Sequence, residues 1–347
     1  MIVSVIGNGL VCYLVMSSTR MKTVTNYFIV NLSVGDMLMT FLCVPFSFVN
    51  ILILMYWPFG EIMCRLVSFW QGVSVFVSAY TLVAISVDRY IAIMSPFKPR
   101  MSKSTAKVLI GTIWFTACLT AFPILIVSKT FKPDDPLYDD CERYVCQEHW
   151  DSEKEKFYYT IVLMFLQYGV PFFVLVYTYT RITIVVWGKK TPGEAENARD
   201  QRMAKKKRKM IKMMVTVVLV FTICWLPFNI LQIFLDYEIV RNWLGLPYIW
   251  FSFHWLAMSH ACYNPFIYAF MNNRFKIGFI GILSKFRCTR NLVSKYNKTA
   301  IAGLALTGIE FAEFSLNRRQ TTTTTTTYLS VKNKNDINAI RHNDDMD

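Results

Sequence analysis

The amino-acid sequence predicts an all-α membrane protein, a bundle of seven transmembrane helices followed by a short amphipathic helix at the membrane interface. Of its 347 residues, 54% are hydrophobic and 17% are charged, whereas a soluble domain of this length exposes more charge. Apolar segments of about 20 residues, the length that crosses a bilayer as a helix, recur through the first 271 positions. The segment from Leu66 to Val87 contains no charged residue.

The apolar segments divide the chain into seven predicted spans. They cover residues 2–18, 25–54, 65–94, 106–128, 157–187, 208–236 and 246–271. Prolines lie inside five of these spans, where neighbouring helices can satisfy the freed carbonyl groups and a kink can form. The first span begins at Met1 and is short for a bilayer, so we expect the sequence to be incomplete at its N-terminus. Residues 1–271 are therefore assigned to the membrane domain.

The remainder of the chain is predicted to be cytoplasmic. Residues 272–288 carry phenylalanines at helical spacing with basic residues between them, a pattern typical of an amphipathic helix on a membrane surface. Cys288, at the end of this segment, is either a palmitoylation site or a free thiol. Residues 289–347 are polar, with a run of threonines, and are predicted to be disordered.

The distribution of charge predicts the orientation in the membrane. Residues 188–212 carry ten Lys or Arg against three acids, and residues 98–107 carry four basic residues and no acid. By contrast, residues 129–156 carry nine acids against five basic residues. The positive-inside rule therefore predicts a plasma-membrane protein with an extracellular N-terminus and a cytoplasmic C-terminus. The net charge of +14 then reflects topology and contact with anionic lipids, and we expect no nucleic-acid partner.

Three of the nine cysteines are predicted to face the oxidising side of the membrane, namely Cys64, Cys141 and Cys146. A disulfide from Cys64 would hold the acidic loop across the mouth of the bundle. The sequence pattern by itself leaves both loop cysteines open as the partner.

Charged residues inside a span are costly and indicate function. Asp36 lies in the middle of the second span, where it is either a neutral, hydrogen-bonded carboxyl group or part of an ion or proton site with Ser78 and Asn264. Asp88 and Arg89 end the third span, and the guanidinium can pair with its neighbour or move to another acceptor.

These motifs resemble those of the rhodopsin-like G-protein-coupled receptors. The chain carries a residue or motif typical of that class in each predicted span: Asn8, Asp36, Asp88-Arg89-Tyr90, Trp114, Pro171, Cys224-Trp225-Leu226-Pro227 and Asn264-Pro265-Phe266-Ile267-Tyr268. The resemblance implies a heterotrimeric G protein as a partner on the inner face, and the threonines and serines of residues 289–347 predict arrestin binding after phosphorylation. It also implies a disulfide from Cys64 to Cys146. A sodium ion is implied at Asp36, Ser78 and Asn264, and no other cofactor is implied for the protein. His260 departs from the small polar residue that the class usually has near this ion. The residues implied in activation are Asp88, Arg89, Tyr90, Tyr179, Trp225, Pro227, Asn264, Pro265 and Tyr268.

The ligand implied is a peptide. Residues 246–271 contain no lysine for retinal, and Gln71 stands where amine receptors carry an aspartate. The run Tyr56-Trp57-Pro58-Phe59-Gly60, together with Gln71 and His254, resembles the neuropeptide Y receptor group and its invertebrate RYamide and luqin relatives. Those receptors bind amidated neuropeptides ending in Arg-Tyr-amide or Arg-Phe-amide. The ligand-binding residues that the resemblance implies are Gln71, Gln167, Gln232, Asp236 and His254, with Asp236 pairing the penultimate arginine.

Three other functions are less consistent with the sequence than a peptide receptor of this type. Another peptide receptor of the same class, such as a tachykinin-like one, remains open, and Asp236 distinguishes the two because only a ligand with an arginine near its C-terminus needs it. A membrane transporter is disfavoured because no inverted repeat is apparent. We expect no enzymatic activity, since the four histidines form no metal-spaced motif.

Overall fold

In the computed structural model, residues 1–133, 143–188, 198–235, 240 and 243–283 are described. They form eight helices, with α1 at Ile2–Ser17, α2 at Val24–Leu42 continued by Val44–Phe48 and Val49–Leu54, α3 at Gly60–Met94, α4 at Lys103–Val127, α5 at Glu153–Met164 continued by Phe165–Gly169 and Val170–Gly188, α6 at Ala198–Phe234, α7 at Leu246–Met271 and α8 at Asn273–Leu283. Six of the first seven agree with the predicted spans to within five residues, whereas α6 begins ten residues before its predicted span, and α8 lies in the predicted amphipathic segment.

Side-chain caps begin several of the helices. Thr23 precedes α2 and accepts a hydrogen bond from the backbone N–H of Asn26 at 3.3 Å. Ser102 precedes α4 and accepts from the N–H of Thr105 at 3.0 Å. Ser152 does the same for α5. Each hydroxyl satisfies a backbone donor that the first turn of a helix leaves without a partner.

Within the described part of the chain, five helices are long and apolar enough to cross a membrane, and α1 is a shorter apolar helix. Helix α7 is not one of these five. It has 26 residues, but several of them are polar and buried, among them His260 and Asn264. Large apolar side chains instead point outward, as shown by Phe115, which is 69% exposed, and Phe270, which is 74% exposed. Polar groups inside and apolar groups outside are the arrangement that suits surrounding lipid.

Two of the long helices contain a π-helical turn that the sequence analysis did not predict. In α2 it covers Val49–Leu54, shortly after Pro45, and in α5 it covers Phe165–Gly169, shortly before Pro171. Proline lacks the N–H of a regular helical hydrogen bond, and such widened turns are common at functional positions. The turn in α5 includes Gln167, one of the predicted ligand-binding residues.

A two-stranded hairpin lies in the acidic loop between α4 and α5. Strand β1, Ser128–Phe131, pairs antiparallel with β2, Val145–Glu148, with Thr130 opposite Cys146. Cys146 forms a disulfide with Cys64 near the start of α3, with the two Cα atoms 5.6 Å apart. We call this end of the bundle the disulfide end. The opposite end, where Arg89 lies 25 residues further along α3 and therefore about 37 Å away, is called the Arg89 end.

Buried hydrogen bonds connect the helices near the middle of the bundle. Asn31 of α2 donates to the hydroxyl of Thr81 on α3 at 2.7 Å and accepts from the indole N–H of Trp114 on α4 at 2.8 Å. Asn8 of α1 donates to the carbonyl oxygen of Ala261 on α7 at 2.9 Å. With no water in the membrane interior to replace them, such bonds fix which helices are neighbours.

Candidate functional site

A chain of polar side chains links α2, α7 and α6 in the middle of the bundle. The carboxyl oxygen Oδ2 of Asp36 accepts a hydrogen bond from Nδ2 of Asn264 at 2.8 Å. Its other oxygen, Oδ1, lies 3.6 Å from Nε2 of His260. On the far side of that imidazole, the indole Nε1 of Trp225 donates to Nδ1 of His260 at 3.2 Å. Asp36 and Trp225, both singled out from the sequence, are therefore joined through His260.

Ser78 lies on α3 beside this chain. Its hydroxyl would be 3.4 Å from a Cβ atom at Gly35, the residue that precedes Asp36. A small cavity lies beside Ser78, between α2, α3, α6 and α7. It is lined by Leu32, Ser78, Leu82, Val217, Val220, Phe221, His260 and Asn264. Asp36 does not line the cavity, although the sequence predicts that it forms a site together with Ser78 and Asn264.

Three of the predicted ligand-binding residues lie at one depth, nearer the disulfide end. Gln71 precedes Ser78 by seven residues on α3, Gln232 follows Trp225 by seven on α6, and His254 precedes His260 by six on α7. At 1.5 Å per residue each therefore lies about 9–11 Å from the Asp36–Trp225 level, towards the disulfide end. Gln71 and Gln232 are half-buried and His254 is buried.

Aromatic rings surround His254. Its imidazole stacks on Trp250 with centroids 4.6 Å apart and lies 5.3 Å from the ring of Phe228 on α6. Nε2 of His254 and the hydroxyl of Tyr168 are buried and have no hydrogen-bond partner within the described residues. Unpartnered buried polar groups are costly unless something else satisfies them. Neither Trp250 nor Phe228 was predicted from the sequence, although Trp250 and His254 are four residues apart and so share one face of α7.

Gln167 lies deeper than Gln71. The hydroxyl of Tyr80, nine residues beyond Gln71 on α3, donates to the carbonyl oxygen of Leu166 at 2.9 Å. This bond places the π-helical turn of α5 beside the middle of α3. The structure therefore does not bring Gln167 into the layer that holds Gln71, Gln232 and His254.

Arg89 is held by its neighbour at the opposite end of the bundle. Its Nε donates to Oδ2 of Asp88 at 3.0 Å, and Nη2 contacts the same oxygen. Its Nη1 lies 3.7 Å from the sulfur of Met210 on α6, a weak acceptor. Tyr90 packs against Tyr177 of α5, with ring centroids 6.0 Å apart.

Tyr179 and Tyr268 line one cavity, which lies between the Asp88–Arg89 pair and the level of Asp36 and Trp225. Its other lining residues are apolar: Ile29, Leu32, Leu82, Ile85, Met213, Met214 and Val217. Both tyrosines are buried, and Tyr268 also packs on Phe275 of α8 with centroids 5.6 Å apart. The cavity therefore lies where α2, α3, α5, α6 and α7 meet.

Two prolines lie inside α6 and α7 close to the central chain. Pro227 follows Trp225 by two residues, and the side-chain amide of Asn229 donates to the carbonyl oxygen of Trp225 at 2.9 Å. Pro265 directly follows Asn264 and is buried. Because proline removes one helical hydrogen bond, each position is a point at which its helix can bend.

Three residues from the sequence analysis lie outside the described residues. They are Cys141, Asp236 and Cys288. The partner of Cys64 is nevertheless settled, since the structure pairs it with Cys146.

Known proteins resemble this chain over most of its length. Residues 7–268 match the family described as 7 transmembrane receptor (rhodopsin family). A RYamide receptor of Drosophila melanogaster is 53% identical to the chain over 348 aligned positions, which cover 99% of this chain and 73% of that protein. A RYamide receptor of Tribolium castaneum is 50% identical over 83% of this chain and 79% of that protein. Tachykinin-like peptides receptor 99D of Drosophila melanogaster is 39% identical over 80% of this chain and 54% of that protein. The chain belongs to the rhodopsin family of seven-transmembrane receptors.

Proposed function

We propose that this protein is a plasma-membrane receptor for a short neuropeptide ending in Arg-Tyr-amide and that it activates a heterotrimeric G protein. The observation that carries the proposal is the identity of 53% and 50% to two RYamide receptors over most of the chain. In this proposal the disulfide end faces the outside of the cell, and the Arg89 end, with the basic segments beside it, faces the cytoplasm.

The layer near the disulfide end supports a peptide ligand. Gln71 and Gln232 offer amide groups that both donate and accept hydrogen bonds, which suits a peptide backbone and a C-terminal amide. His254 adds an unpartnered Nε2 inside an aromatic cage. We assign this layer to the C-terminal amide and its aromatic ring, with Gln167 reached only by a group that enters more deeply. Asp236 is assigned to the arginine, because a carboxylate accepts two parallel hydrogen bonds from a guanidinium.

Ligand binding above Trp225 would act on the parts of the bundle that can rearrange. The indole is held through His260, α6 can bend at Pro227, and α7 can bend at Pro265. We propose that this movement reaches Tyr179 and Tyr268 and releases Arg89 from Asp88, which exposes a docking surface for the G protein. The C-terminal segment is proposed to bind arrestin after phosphorylation, with Cys288 as a lipid anchor.

The test is G-protein activation in cells that express the protein, challenged with matched synthetic peptides. The panel contains peptides ending in Arg-Tyr-amide and Arg-Phe-amide, the same peptides as free acids, and a tachykinin-type amide. Surface expression is measured in parallel by antibody labelling. We expect nanomolar responses to the Arg-Tyr-amide peptides, and much weaker responses to the free acids because a carboxylate cannot donate to the glutamines.

The alternative is a receptor for tachykinin-type peptides, which the 39% identity to tachykinin-like peptides receptor 99D supports less strongly. A response stronger to the tachykinin-type amide than to the Arg-Tyr-amide peptides would establish that alternative. A protein that reaches the cell surface and responds to no peptide in the panel would contradict the proposed ligand.

A further inference from the structure

Protein atoms approach both oxygens of the Asp36 carboxyl group. Oδ2 accepts from Asn264, and Oδ1 faces Nε2 of His260 at 3.6 Å. That distance is slightly too long for a hydrogen bond. Neither Oδ1 nor Nε2 has another hydrogen-bond partner within the described residues, and Asp36 and His260 are 1% and 3% exposed. The two unpartnered atoms are therefore each other's natural partners.

A proton can lie between Asp36 and His260 in either tautomer of the imidazole. If Nδ1 accepts from the indole of Trp225, the ring proton is on Nε2 and points to Asp36. The carbonyl oxygen of Ala257, 2.7 Å from the same Nδ1, favours the other tautomer, in which Nε2 accepts and the carboxyl group supplies the proton. In both cases one proton lies between Oδ1 of Asp36 and Nε2 of His260.

A sodium ion does not fit this arrangement. Hard cations are held by oxygen ligands, with carboxylates supplying the charge. The cavity beside the site is lined by Ser78, Asn264 and His260 but not by Asp36, whose two carboxyl oxygens face the amide of Asn264 and the imidazole of His260. An ion in that cavity would meet the hydroxyl of Ser78, the amide of Asn264 and the ring of His260, and it would have no anionic ligand among the lining residues.

We infer that His260 takes the place of a cation beside Asp36, so that this protein does not bind sodium there. The inference goes beyond the proposed function and does not depend on the ligand. It makes His260 a positioning residue, since one side of its ring contacts Trp225 on α6 and the other faces Asp36 on α2. The position of the indole is then set by a side chain and not by the concentration of an ion.

The test is thermal unfolding of the purified full-length protein in detergent, in NaCl and in KCl of equal ionic strength. Five proteins are compared: the unmodified chain, Asp36→Asn, His260→Ser, the double variant Asp36→Asn with His260→Ser, and Ser259→Ala. Serine at position 260 removes the ring and opens space beside Oδ1 of Asp36. Ser259 is the matched control, because it lies on the same turn of α7 and its hydroxyl donates to the carbonyl oxygen of Leu256.

We expect the unmodified protein and Ser259→Ala to unfold at the same temperature in both salts. His260→Ser should gain a saturable stabilisation in NaCl of about 2 °C or more, because a ligand that binds only the folded state raises Tm. The double variant should lose this gain, because it lacks the carboxylate.

Two results would overturn the inference. One is a sodium-specific rise in Tm for the unmodified protein that Asp36→Asn abolishes. The other is a folded His260→Ser variant with equal Tm in both salts. If His260→Ser cannot be purified, the comparison of the unmodified protein with Asp36→Asn still decides whether sodium binds. None of these measurements involves a peptide or a G protein, so a failure here is distinct from a failure of the proposed function.

Discussion

Gly7 of α1 lies directly against the ring of Pro265 on α7. A Cβ atom at Gly7 would come within 2.8 Å of Cγ and 2.9 Å of Cβ of that proline, closer than carbon atoms approach without a shift in structure. The proline ring is rigid, and Pro265 lies inside α7. The absence of a side chain at Gly7 therefore allows α1 to pack closely on α7.

Gly7→Ala is expected to destabilise the protein by about 1–3 kcal/mol, the usual range for a core position forced to accept an extra carbon. The measurement is Tm of the purified protein in detergent. Gly9→Ala is the matched control, because no atom lies within 4 Å of a Cβ there and alanine is a better helix former than glycine. Equal Tm values for the two variants would show that the close approach at Gly7 has no energetic consequence.

The sequence predicted the helices well because the membrane imposes a single strong pattern. A span needs about 20 apolar residues, and hydropathy locates α2 at Val24–Leu54 and α4 at Lys103–Val127 to within three residues of the predicted bounds. The hairpin of β1 and β2 was not predicted. Its strands have four residues each and pair across a loop, so no local periodicity marks them.

The candidate site was only partly predictable for a similar reason. Motif residues such as Asp36 and Trp225 stand out because each is unusual within its own span. The link between them is a contact of His260 with two other helices, and contacts between distant segments leave no trace in one sequence. The depth of Gln167 could not be predicted either, because the π-helical turn at Phe165–Gly169 shifts the register of every residue near it.

Asn31 is expected to couple energetically to Trp114, whose indole it binds at 2.8 Å. The test is a double-mutant cycle with Asn31→Ala and Trp114→Phe, in which unfolding free energies are measured in detergent. Hydrogen bonds between helices in membrane proteins average about 0.6 kcal/mol in such cycles and reach about 1.7 kcal/mol. We expect a coupling energy in the upper half of that range, because Asn31 also binds Thr81 and is held in place. A coupling energy of zero would mean that the contact does not contribute to stability.

Asp88→Asn is expected to raise G-protein activation in the absence of peptide, a prediction that rests on the proposed function. The substitution keeps the shape of the side chain but removes the charge that holds Arg89, and the remaining contact, to the sulfur of Met210, is weak. A loss of about 1–2 kcal/mol from the resting arrangement changes its population by roughly 5- to 30-fold.

Glu61→Gln provides the control for that experiment. Glu61 forms the same kind of local ion pair, with Arg65, but at the disulfide end and on the surface. It should leave peptide-independent activity unchanged, because exposed pairs contribute little and this pair is far from the Arg89 end. A rise in both variants would point to a general loss of stability, and no rise in Asp88→Asn would contradict the role of the pair as a latch.

Asp236→Ala is expected to weaken the response to Arg-Tyr-amide peptides without changing surface expression. Loss of one partner of a desolvated charge pair costs about 2–5 kcal/mol, or roughly 30- to several-thousand-fold in affinity. The measurement is peptide potency in the G-protein assay. Glu238→Ala is the matched control, since an acid two residues away adds general attraction for a cationic peptide but not the specific pair.

The peptide supplies the reciprocal test of the same pair. Replacing its penultimate arginine with citrulline keeps the shape and removes the charge, so the unmodified receptor should lose potency to a similar degree. Asp236→Ala, which has already lost the carboxylate, should then discriminate little between the two peptides. If the two losses simply add, arginine and Asp236 do not contact one another. A loss that disappears at high salt would indicate long-range attraction instead of a buried pair, because salt screens exposed charges far more than desolvated ones.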